Sequence, residues 1–96
     1  MTTNVKETAE KIVKEIPIDE IMGALINEYR RRFIRYRMTD EFMRKKYGTT
    51  FDKFESRNVV KEKKFLWDVE SDAMEWEHAI EGSRYAEQRL KDLGKA

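Results

Sequence analysis

Pro17, the only proline of the chain, and Gly48 bracket 30 residues with an uninterrupted helical pattern. Ile18, Met22, Leu25, Tyr29, Phe33, Tyr36, Met43 and Tyr47 fall on one stripe of a helical wheel, and Asp40 lands on the same stripe. As one helix this segment would be about 45 Å long. A compact domain of this size is only about 35 Å across, judged from a radius of gyration near 13 Å. The segment must therefore break or protrude. Thr39-Asp40-Glu41 has the chemistry of a helix start, a capping hydroxyl followed by acids, and predicts a bend or break there.

The rest of the chain is punctuated around this stretch. Asn4 and Glu7 have the spacing of a capping pair, and Val5, Ala9, Ile12, Val13 and Ile16 follow at helical intervals up to Pro17. Lys45 and Lys46 followed by Gly48 supply cations for the last carbonyls and a residue suited to a left-handed turn. Thr49 with Asp52 opens a short helical segment carrying Phe51 and Phe54, which Asn58 closes. Val59 to Leu66 sets apolar anchors around a charged middle and reads as a surface connector, with a short strand as the alternative.

The last helix is expected from between Trp67 and Ser71 to about Leu93. Val69, Ala73, Trp76 and Ile80 form one seam, continued by Ala79, Ser83, Ala86, Leu90 and Leu93 at 3-4 spacing, with small residues that admit a close neighbour. Trp67, Met74, His78 and Tyr85 form a second line on the other side. The fold class predicted is all-α, a small antiparallel helical bundle of three main helices plus one short helix, in a single domain spanning 1–96.

Composition narrows the function classes. Charged residues make up 41 % of the chain, yet the net charge is only +1, which lacks the basic excess of a general nucleic-acid or membrane binder. One Gln and three Asn stand against 13 Glu and 11 Lys, a usage that fits a heat-adapted protein. The absence of Cys excludes disulfides and thiolate metal sites. The start Met-Thr-Thr-Asn-Val-Lys-Glu lacks a signal-peptide pattern, and no apolar run approaches a membrane span, so a cytoplasmic protein is expected. At 96 residues the core is small, and a homodimer would help to bury more of it.

The cations and acids are segregated. Residues 28–46 hold eight cations against three acids, and residues 67–82 hold six acids and no Lys or Arg. Arg30, Arg31, Arg35 and Arg37 are the nucleic-acid candidates, but they spread around the helix instead of tracking one line. The two segments are better read as electrostatic neighbours, within the bundle or across a dimer. Glu75 and His78 have the Glu-x-x-His spacing of di-metal bundles, but the further glutamates and second motif are missing, so neither metal nor cofactor is expected. No Gly-rich loop or catalytic triad can be assembled.

Lys46-Tyr47-Gly48-Thr49-Thr50-Phe51-Asp52-Lys53-Phe54-Glu55 and the acidic segment Trp67 to Glu81 resemble stretches of small uncharacterised archaeal proteins. More loosely, they are similar to antitoxin-like proteins encoded beside ribonuclease toxins. The resemblance implies an acidic helix laid over the basic site of a partner nuclease, with Trp67, Glu70, Asp72, Trp76 and Glu77 in that role. The wheel turns Met74 and His78 toward the same partner. The expected function is a non-enzymatic protein-interaction module of this kind. A self-assembling structural protein is the alternative, and nucleic-acid binding through the Arg-rich helix a third.

Overall fold

A computed structural model describes residues 4–64 and 66–94. Among them every regular element is helical: α1 (Val5–Glu15), α2 (Ile18–Tyr47), α3 (Phe51–Ser56), α4 (Val59–Glu62) and α5 (Trp67–Asp92). The expected three-plus-one arrangement becomes three long helices and two short ones. The anchor expected at Phe65 lies outside the described residues, as do the three N-terminal residues of the signal-peptide reading.

The α1 start is the one expected, with the Asn4 side chain accepting the Lys6 N–H at 2.8 Å. The helix ends at Ile16, because the proline that follows disfavours a helical residue before it. No residue of α1 is buried; Val5, Ile12 and Val13 face solvent.

The break expected at Thr39 does not occur, and α2 is one helix of 30 residues. Both groups that would have capped a new helix are engaged otherwise. The Thr39 hydroxyl donates to the carbonyl of Arg35 at 3.3 Å, inside the helix. The Asp40 carboxylate accepts the indole N–H of Trp76 at 2.9 Å, across to α5. The unbroken helix makes the whole molecule elongated. The molecule measures 55 × 38 × 17 Å, with a radius of gyration of 18.7 Å where about 13 Å would be compact.

Gly48 stops α2 in a left-handed conformation (φ 67°), its N–H donating to the Arg44 carbonyl at 2.7 Å. Thr50, one residue later than expected, caps α3 by accepting the Lys53 N–H at 3.4 Å. α3 is closed by Arg57, one residue before the Asn58 expected, and Asn58 instead precedes α4 with φ 54°, a value that Asn tolerates better than most residues. The connector expected after it is a single helical turn, α4, and Val59 is buried there. Val60 beside it packs partly against the same core.

α5 then runs back antiparallel to α2. Tyr47 meets Asp72 at one end, Asp40 meets Trp76, Tyr36 meets His78, and Tyr29 meets Tyr85 at the other. Gly82 allows close approach: a Cβ there would stand 2.5 Å from the Tyr36 ring. The core is concentrated where the chain turns, in Met43, Phe54, Val59, Val69 and Trp76, with Tyr47, Phe51, Val60, Ala73 and Ile80 packed around them. Trp76 is fully buried, in contact with Tyr47, Phe51 and Phe54 at ring-centroid distances of 6.0, 5.5 and 5.1 Å. Burying such a side chain contributes roughly 2–3 kcal/mol.

Candidate functional site

The polar contacts between α2 and α5 make two locks. In the first, Asp40 is only 2 % exposed and lies between Trp76 and two guanidinium groups. Its Oδ1 accepts from Trp76 and from Arg44 (3.3 Å), while Arg37 and Arg44 approach Oδ2 at 3.5 and 3.3 Å. In the second, one oxygen of Asp72 accepts from both Lys46 and the Tyr47 hydroxyl, each at 2.6 Å. Burial pushes the Asp72 carboxyl up, but the bonds from Lys46 and Tyr47 outweigh it and hold it below its ordinary value. Burial first, then the bond to Asp72, raises the Tyr47 hydroxyl, and the same carboxylate raises Lys46.

These locks reassign two of the expected partner-binding residues. Trp76 is the centre of the core and touches no solvent, so it cannot reach a partner. Asp72 is committed to Lys46 and Tyr47. The wheel had placed both correctly on the helix, but a helix with two apolar lines does not declare which one faces inward. Asp40 has the local chemistry of a helix start but serves as a buried acceptor for Trp76. An acid on an apolar stripe, in a chain that must also satisfy a buried indole N–H, was the available signal.

The remaining candidates share the outer face of α5. Trp67 is 75 % exposed and Met74 67 %, and Glu77 and His78 are also exposed. Glu70 is half-buried beside them. His78 also stands edge-on to Tyr36, with ring centroids 5.5 Å apart. Among the described residues Glu70, Glu77 and Glu81 make no ion pair. Beside them Phe51, Phe54, Val59, Val60, Ala73 and Met74 line an apolar depression of about 170 Å³, with Glu55 and Glu77 at its rim. This surface suits an apolar or long cationic side chain.

The expected pairing of the basic and acidic segments is realised only in part. Among the described residues Lys46–Asp72 is the one ion pair between two helices. Glu28 holds Arg31 and Arg32 at 2.8 Å, and hydrogen bonds from Arg32 and Arg31 keep its carboxyl below the ordinary value. Arg37 leans on Asp40, whereas Arg30 and Arg35 make no ion pair among the described residues. The four nucleic-acid candidates are thus split between internal and outward roles.

The outward side of α2 carries a feature the sequence reading passed over. Ile34, Met38 and Phe42, each four residues apart, are all more than half exposed. With Phe33, Arg37, Glu41 and Lys45 they line an open trough of about 480 Å³ with mainly apolar walls. The spacing of four is present in the sequence beside the longer stripe through Tyr36 and Met43, which alone accounts for an amphipathic helix.

Among the described residues no group of three or more His, Asp or Glu side chains is placed to hold a metal ion. Among the same residues no helix is long and apolar enough to cross a membrane. The chain matches no protein-family model, no curated protein and no solved structure.

Proposed function

We propose that the chain is a non-enzymatic protein-interaction module whose α5 outer face receives a basic partner. The observation that carries this reading is the set Glu70, Glu77 and Glu81, without ion pairs among the described residues, around exposed Trp67 and Met74. Desolvated tryptophan with a charged rim is the usual composition of an interface centre. The resemblance to antitoxin-like proteins suggests a nuclease as the basic partner, with the α5 face laid over its RNA-cleaving site.

The test is capture from native lysate of the source organism, with wild-type chain and with a Trp67→Ala/Glu77→Lys variant, at low and high salt. The reading expects a stoichiometric basic protein on the wild type, released by salt and lost from the variant. For the nuclease form, the captured protein's RNA cleavage should be inhibited by wild type and not by the variant. Equal retention by both proteins, or no stoichiometric capture, would count against the α5 face.

Self-assembly is a second reading, favoured by the unpartnered ridge on α2. The accessible surface is 7651 Å², where a folded monomer of this mass exposes roughly 5,800 Å². Part of the excess, roughly 1,800 Å², belongs to α1, which buries no residue, and part to the outer sides of α2 and α5. On this reading the antiparallel bundle is completed by helices from other copies.

A further inference from the structure

We infer that a second copy of this chain docks head to tail, the outer ridge of α2 in one copy against the outer face of α5 in the next. The inference rests on the interaction reading above and names its partner.

The two faces are complementary in both respects that matter. Each presents large apolar side chains along about 10–12 Å of helix: Ile34, Met38 and Phe42 on α2, Trp67 and Met74 on α5. Their charges are opposite. Arg30, Arg35 and Lys45 flank the α2 ridge, with Glu41 beside it and Arg31 already held by Glu28, whereas Glu70, Glu77 and Glu81 flank the α5 line. A symmetric α2–α2 contact would set the cations against their own copies, and a symmetric α5–α5 contact would do the same to the glutamates. Like charges held together at an interface select against that pairing.

The register agrees as well. Inside one copy Asp40 is level with Trp76 and Tyr36 with His78. A neighbour set alongside without stagger repeats that register between copies. Phe42 then comes level with Met74 and Met38 with His78, while Arg35 and Lys45 fall within a turn of Glu81 and Glu70; Trp67 comes level with Thr49, just past the end of α2, and covers the edge of the contact. The α2 ridge lies on the side of its helix away from Tyr36, Asp40 and Met43, and the Met74 line on the side of α5 away from Trp76. Both faces therefore stay free after one contact has formed. Such a heterologous contact continues into a ring or an open filament of alternating α2 and α5.

The experiment uses full-length wild type, Met38→Glu and Met74→Lys, each at an exposed position, with helicity checked by circular dichroism. Sedimentation velocity is run from about 10 μM to about 1 mM, a range that detects dissociation constants near 100 μM. Wild type should grow past dimer as concentration rises and shrink with added salt. Each variant alone should associate roughly tenfold or more weakly, a loss of about 1.4 kcal/mol. An equimolar mixture of the two should form a heterodimer, because the intact α2 ridge of Met74→Lys meets the intact α5 face of Met38→Glu. Three results overturn the inference: helical wild type that stays at 11.6 kDa, a variant that still dimerises as wild type does, or a mixture that forms no heterodimer. In any of these cases, capture of a basic partner that Met38→Glu retains and Met74→Lys loses would leave the α5 interaction face standing alone.

Discussion

Replacing Asp40 with Ala tests the central lock between the two long helices. The substitution leaves the Trp76 N–H, at the fully buried centre of the core, without its 2.9 Å acceptor. An orphaned buried donor costs about 1–3 kcal/mol. Arg37 and Arg44 lose their shared carboxylate, but both are about half exposed and rehydrate, so that loss adds only about 0–1 kcal/mol. Alanine returns up to about 0.7 kcal/mol of helix propensity. The net is a destabilisation of about 1–3 kcal/mol, which lowers the melting temperature by about 5–20 °C in a domain of this length. Urea and thermal unfolding followed by helicity measure it, and tryptophan fluorescence reports whether the indole becomes hydrated. A double-mutant cycle with Trp76→Phe separates the pair from the arginines. Because Trp76 bonds to a charged acceptor, the coupling should be about 1.5–3 kcal/mol. A coupling below about 0.5 kcal/mol, with Asp40→Ala close to wild type, would refute the claim that this hydrogen bond ties α2 to α5.

Other outcomes follow from neighbouring features. The depressed Asp72 carboxyl gives stability that is present above its ordinary value of 3.8 and lost as pH falls through the lower folded value, so melts of wild type should drop in acid while Asp72→Asn shows a smaller drop. Tyr47 and Lys46 are raised, so their contribution is intact below ordinary values of 10.0 and 10.5 and lost as pH climbs beyond them; Tyr47→Phe should blunt that alkaline loss. Gly48→Ala should cost about 1 kcal/mol, because the backbone there is left-handed although a Cβ would meet no atom within 4 Å, and Gly48→Asn should cost less. Deleting residues 1–16 should change the unfolding free energy by less than about 0.5 kcal/mol, since α1 contributes no buried side chain.

Much of this architecture is legible in local chemistry. Pro17 and Gly48 delimit α2 because each acts through its own backbone, and the 3-4 pattern of α5 survives because the helix is long enough to average out exceptions. What escaped is what depends on a distant residue. Thr39-Asp40-Glu41 satisfies every local criterion of a helix start, and only Trp76, 36 positions later, turns Asp40 into a core acceptor. α4 escaped because a single turn is set by the Asn58 backbone and by the space available for Val59, neither of which leaves a period to read. The site was half legible. Trp67, Met74, Glu77 and His78 are exposed, whereas Trp76 and Asp72 belong to the locks, because faces can be grouped from spacing but not oriented.

The core sits where α2, α3, α4 and α5 meet, and this makes the helix pair a clamp closed at one end. Beyond Gly82 the buried residues of α5 are only Ala86 and Leu90, and the Tyr29–Tyr85 edge contact joins it to α2. Loop closure is cheapest for contacts nearest the turn, so folding should begin at Phe54 and Trp76 and run outward along both helices. Hydrogen exchange in the native state should show the same gradient, slowest near Met43 and Val69 and fastest at the first turns of α2 and the last of α5. The open end can then breathe without unlocking Asp40, so the molecule can bend at its free tips while the outer ridges near the clamp keep their shape.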